Sequence, residues 1–206
     1  MIVSVELYLA YVLACLVITV IPGPTVTLIV ANSLTHGSRA GLLNVLGTQF
    51  GLGLMMLVLA VGLTSIIATM GVWFDWLRLI GAAYLIWIGW KLLRSSGGIA
   101  QQADARQPRG GFVLQGFLVL LGNPKALLWF GAFIPQFIDP STDYVRQVVL
   151  LGLTAMAAAA LSDGGYALLA GGARNVMSKS RARLISRIGG VCLMGGGVWL
   201  ALARAR

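Results

Sequence analysis

Charge is scarce in this chain: Asp, Glu, Lys and Arg make up 10% of it, against roughly 25% in an average soluble domain. That shortage excludes a water-soluble globule, which needs far more charge to clothe its surface. There are six acidic residues, one histidine (His36) and two cysteines (Cys15 and Cys192). They stand apart along the chain, so no cluster with metal-ligand spacing is available. Both cysteines lie inside apolar runs, where they read as inert packing residues, not as a disulfide framework. The sequence also lacks Gly-x-Ser-x-Gly, a phosphate-binding glycine loop and paired intramembrane acids of the protease kind. No enzyme, metal or cofactor is expected, and His36 reads as a solvated loop residue.

What is abundant is apolar sequence, at 58% of 206 residues, or about 119 side chains. A membrane span takes roughly 20 of them, so the chain could furnish about six spans with no room for a separate soluble domain. The runs place candidate spans at about 5–33, 40–66, 72–93, 112–137, 147–172 and 184–203. The first, continuous from Leu7 to Ala31, is too long for the apolar core of a cleaved signal peptide. The longest polar interruption, Ser95 to Gly111, reads as a linker between two three-span halves, 1–94 and 112–206. The expected fold is all-α: a polytopic helical membrane protein.

A formal charge of +9 would suggest nucleic-acid binding in a soluble chain. Here ten of the fifteen basic residues sit after spans one, three and five: Arg39; then Lys91, Arg94, Arg106 and Arg109; then Arg174, Lys179, Arg181, Arg183 and Arg187. Loops rich in Lys and Arg stay in the cytoplasm, so the basic residues orient the chain in a lipid bilayer and no nucleic-acid partner is expected. Both termini then lie outside. If span one were broken or peripheral, five true spans would put the N-terminus inside.

Two places in the apolar runs should not be there. Pro22-Gly23-Pro24 interrupts span one, and Asn123-Pro124-Lys125 interrupts span four; each proline removes a backbone donor and forces a kink or an opening. Matching interruptions in two halves of opposite orientation point to a solute site on an inverted repeat with broken helices one and four. Lys125 and Asp163 are the formal charges clearly inside spans, and each costs about 2.5–3.5 kcal/mol at a helix centre. Pro22 to Pro24, Lys125 and Asp163 all fall at one depth, slightly to the cytoplasmic side of the middle. The charges are either a structural ion pair or functional groups: Lys125 to hold a carboxylate, Asp163 to carry a proton. Burial in hydrocarbon favours the neutral acid and a nearby ammonium the anion, an opposition that sequence leaves open.

Asn44, Gly47, Thr48 and Gly51 share one face of span two. They suit a small-residue packing seam, from which Asn44, like Gln49 and Thr25, could also face a solute. Trp129 and Tyr166 are candidates to line a cavity, whereas Trp73, Trp76 and Trp90 suit interface anchoring. Gly195-Gly196-Gly197 in span six suits either a homodimer contact or packing within the protomer.

The run of Pro22-Gly23-Pro24, then Gly37, Gly41, Gly47 and Gly51, then Leu79 to Gly89, then Phe112 to Gly116 leading to Asn123-Pro124-Lys125-Ala126 resembles the lysine-exporter and homoserine/threonine-efflux (LysE/RhtB) family over about residues 5–140. The last two spans share with it their length and apolar character. The resemblance implies a bacterial inner-membrane exporter of amino acids driven by the proton motive force. It carries over to Pro22, Gly23, Pro24, Asn123, Pro124 and Lys125, which match the two family motifs.

The expected mechanism is alternating access, the two halves rocking about the paired breaks. Lys125 would take the solute carboxylate, freed backbone carbonyls its ammonium, and Asp163 the proton. The competing readings are an exporter of another small solute, such as a cation or drug, and a structural membrane protein. A single intramembrane acid supplies a cation site poorly.

Overall fold

A computed structural model describes residues 4–62, 79, 82–90, 93–94, 108–139, 142–173 and 179–202. Among them the chain is helical: α1 Val5–Val20, α2 Pro24–His36, α3 Ser38–Gly62, α4 over residues 82–90, α5 Gly111–Leu121, α6 Pro124–Leu128, α7 Tyr144–Ala173 and α8 Lys179–Leu202. A π-helical turn, Trp129–Phe133, and a 3-10 turn, Ile134–Phe137, prolong α6. Most of the 95–111 linker, Trp73, Trp76, Lys91, Arg106 and Arg174 lie outside the described residues.

Each helix boundary near the centre has a local cause. Ser4 caps α1 by accepting from the Leu7 amide at 3.3 Å, with Glu6 in the first turn where a negative charge favours the helix dipole. Helix α1 stops because a residue before proline is pushed out of the helical region: Ile21, before Pro22, is extended at φ −69°, ψ 116°. Gly23, before Pro24, and Asn123, before Pro124, are extended for the same reason. The axes of α1 and α2 bend by 50°, and α5 bends by 54° against Pro124–Phe137. Both expected helix breaks are therefore present, and each leaves the second half-helix starting at a proline, which lacks a donor the first turn could not use anyway.

Helices α3 and α7 are each long and apolar enough to cross a bilayer, and the two bent pairs qualify if each is one span. The chain is a polytopic helical membrane protein. Its outer faces are apolar, as lipid requires: Val5, Leu9, Leu13, Val17 and Val20 on α1 and Leu161, Leu168 and Leu169 on α7 are exposed. The connection between α2 and α3 is Gly37 alone, at φ +89°, a left-handed backbone that glycine adopts without a Cβ penalty. Consequently His36 is not a loop residue: it ends α2 with its ring 5.1 Å from that of Phe112.

Helix α3 packs along both α5 and α7. Against α5 the contact is backbone to backbone. A Cβ on Gly47 would run into the Val113 carbonyl, and one on Gly116 into the Asn44 carbonyl, so this seam is closed to any larger residue. Leu28, Ala82, Leu85, Ile88, Val119 and Leu193 form a core that ties α4 and α8 to α2 and α5. A second core, with Tyr11, Leu52, Leu120, Phe130, Ile134 and Leu151, holds α1 and the α6 extension against α3 and α7. On α8, Gly196 lies beside Pro24, whereas a Cβ on Gly195 would meet open space.

Candidate functional site

The two breaks face each other. The Asn123 side chain caps α6, its Oδ1 accepting from the Lys125 amide at 3.0 Å, while its Nδ2 donates to Thr25 Oγ1 in the first turn of α2 at 3.2 Å. Lys125 reaches across to the first break and donates from Nζ to the carbonyls of Ile18 (3.1 Å) and Ile21 (2.9 Å). A Cβ built on Gly23 would stand 3.8 Å from Lys125 Cε, so the lysine stem passes directly over the Pro-Gly-Pro turn.

A helix end leaves its last four carbonyls without partners. At the C-terminus of α1, all four in the run from Ile18 to Ile21 are met by side chains from elsewhere. Lys125 takes two, Ser162 Oγ donates to Thr19 at 3.0 Å, and the Tyr166 hydroxyl donates to Val20 at 2.9 Å. Ser162 and Tyr166 are four residues apart on α7 and so project from one face of it. Deeper along α1, the Tyr11 hydroxyl donates to the Leu151 carbonyl and Tyr8 shares a hydrogen bond with Thr154, both at 2.9 Å.

Between the breaks lies a cavity of about 60 Å³, room for four to six water-sized groups at about 10–15 Å³ each. Polar atoms enter it from Thr19 and Thr25, Asn123, Lys125 and Asp163; Trp129, Phe130, Leu52 and Leu120 supply an apolar wall. Asp163 is 7% exposed and accepts no hydrogen bond among the described residues. It interacts electrostatically with Lys125, yet the two form no ion pair within 4.0 Å. The carbonyl end of α1 and the amino ends of α2 and α6 also meet here, which sets a partial negative charge beside two partial positive ones.

The structure therefore gathers Asn123, Lys125 and Asp163 around one cavity, with Gly23 beneath the lysine, while Pro22, Pro24 and Pro124 shape the breaks without lining it. Asn44 sits elsewhere. It is fully buried, accepting from Asn32 at 2.6 Å and donating to the Phe112 carbonyl at 2.7 Å, with Gln115 accepting from the same Asn32 amide at 2.9 Å. Its amide holds α2, α3 and α5 together, and it is not among the residues that line the cavity. The freed carbonyls expected to receive an ammonium each accept one side-chain hydrogen bond. Thr25 and Trp129 line the cavity as the sequence suggested, but Tyr166 acts as a cap. Sequence reasoning missed Ser162 as a cap and Cys15 as a buried lining residue.

The sequence model of the LysE type translocator family matches residues 16–204, which extends the likeness through α7 and α8. A homoserine/homoserine lactone efflux protein of Salmonella typhi is 33% identical over 80% of this chain and 81% of its own length. A leucine efflux protein of Klebsiella pneumoniae is 31% identical over 64% of this chain and 63% of its own. An uncharacterized membrane protein of Vibrio cholerae is 29% identical over 98% of this chain and all of its own. No solved structure matches the chain.

Proposed function

Because the chain belongs to the LysE type translocator family, we propose that it exports amino acids or close derivatives across the bacterial inner membrane, exchanging them for protons by alternating access. The observation that carries the site is the cavity where Lys125 and Asp163 meet without pairing. Lys125 has three ammonium donors; two are spent on Ile18 and Ile21, and the third is available to a solute carboxylate. The buried Asp163 carries the proton.

Relatives are named for the efflux of homoserine, homoserine lactone and leucine. Homoserine and its lactone share a primary ammonium, but the lactone has no carboxylate. A site serving both kinds of solute must hold the ammonium first. The proposed architecture is six spans in two inverted halves, 1–94 and 112–206, joined by the 95–111 linker, with both termini periplasmic. Gly195 on α8, which meets open space, is the place for a homodimer contact.

The test is export of a panel of labelled amino acids from cells expressing the chain, with and without a protonophore. Protonophore-sensitive export of one amino-acid class is expected. An abundant, correctly inserted protein that exports none of them would overturn the reading and move the assignment to another small solute.

A further inference from the structure

We propose that Asp163 is the residue that binds the solute's ammonium group, so that proton and solute occupy one carboxylate in turn. The inference rests on the amino-acid export reading above and goes beyond it by joining substrate recognition and proton coupling in a single side chain.

The cavity offers few places for an ammonium. Backbone carbonyls freed at the first break each accept one hydrogen bond already, from Lys125, Ser162 or Tyr166, and they carry no formal charge. Thr19 Oγ1 donates to the Cys15 carbonyl and Asn123 bonds Lys125 and Thr25, so both are neutral groups already engaged in holding the breaks. Asp163 is the lining acceptor left without a hydrogen bond among the described residues, although it is more than nine-tenths buried. A buried carboxylate in that condition is costly unless protonated or given a cation. Lys125 interacts with it electrostatically but is held by the Ile18 and Ile21 carbonyls and lies more than 4.0 Å away. An anchored ammonium and an unpaired carboxylate that line one cavity match the two charges of a zwitterion, whose carboxylate meets Lys125 and whose ammonium meets Asp163.

The coupling follows from charge balance. With the cavity open to the cytoplasm, the Asp163 carboxyl releases its proton there and the resulting carboxylate takes the solute ammonium. With the cavity open outside, the ammonium leaves and a proton from that side replaces it. No bond other than the O–H changes, and each cycle moves one proton inward for one zwitterion outward. Among the described residues, the titratable or charged groups that line the cavity with Asp163 are Lys125 from α6 and Cys15 from α1; Tyr166 lies on its own helix, and α2 and α3 present Thr25 and Leu52.

The experiment is equilibrium binding to the full chain in lipid nanodiscs across a pH series. The probes are L-homoserine, L-threonine and L-leucine, each beside the α-hydroxy acid that has a hydroxyl where the amino acid has its ammonium. The wild type should bind the amino acid about tenfold to a hundredfold more tightly than the α-hydroxy acid, the range of one charge-assisted contact. Its affinity should weaken as the pH falls, approaching about tenfold per pH unit, as required when one proton is displaced. Asp163→Asn should abolish both the discrimination and the pH dependence, and Asp163→Glu should restore them in part. Retention of both in Asp163→Asn would overturn the proposal, as would a wild type that binds the two compound classes equally or with no pH dependence; these two wild-type readings stand even if a variant fails to fold. Amino acids that bind and are exported with Asp163 irrelevant would leave the export reading intact, whereas a wild type that binds none of them would remove both.

Discussion

The two helix breaks are built from similar letters and finished in opposite ways. At the second, α5 closes on itself: the Gly122 and Asn123 amides return to the Leu118 and Leu120 carbonyls, and Asn123 caps the next half-helix with its own side chain. At the first, α1 ends on four carbonyls that nothing local can reach, and α2 begins at Gly23 without a side-chain cap. That end is completed by Lys125 from α6 and by Ser162 and Tyr166 from α7. A self-sealed break is a fixed support. A break completed by distant side chains holds its shape only while those side chains stay, and a solute carboxylate competing for Lys125 acts on it directly. The exposed outer face of α1 and the locked glycine seam between α3 and α5 point the same way, making α1 the easier element to move.

The strongest way to break this contrast is Lys125→Met, which keeps the length of the side chain and removes the charge. The carbonyls of Ile18 and Ile21 lose their partner at about 1–3 kcal/mol each, and export should fall at least about 100-fold at matched membrane abundance. Amide hydrogen exchange should accelerate around residues 18–23 and stay unchanged around 118–125. Gly47→Ala comes next: a methyl against the Val113 carbonyl should cost about 1–3 kcal/mol, read as lower thermal stability of the purified protein. Tyr166→Phe removes one cap and should cost about 1 kcal/mol, loosening exchange at the first break alone. Asn123→Ser sharpens the comparison from the other side. Serine still caps α6 while losing the bond to Thr25, so less than about 1 kcal/mol should be lost and the second break should keep its exchange protection.

How legible all this was in the sequence depends on what kind of signal each residue leaves. Prolines and formal charges inside apolar runs are costly enough to stand out, and Pro22, Pro24, Pro124, Lys125 and Asp163 therefore announced both breaks and two of the cavity's polar walls. Ser162, Tyr166 and Cys15 left no such mark. Serine, tyrosine and cysteine are ordinary in a membrane helix, and only the apposition of α7 to the open end of α1 gives the first two their task. Asn44 misled for a related reason. Asn44 shares its face of α3 with Gly47, Thr48 and Gly51, and the pattern does not say whether that face meets a solute or another helix; the amide points into the α2 and α5 contact. The expected loop at His36 failed because one glycine in a left-handed conformation replaces a loop of several residues.

The central claim is that the cavity between the breaks is where the exported amino acid sits. Cys15 lines that cavity, and Cys192 is exposed on α8. In a Cys192→Ala background, the rate at which a small thiol reagent modifies Cys15 should fall when an exported amino acid is present at saturation. It should not fall with an amino acid the protein does not export, and Lys125→Met should abolish the protection. A Cys15 modification rate indifferent to a saturating exported amino acid would contradict the account.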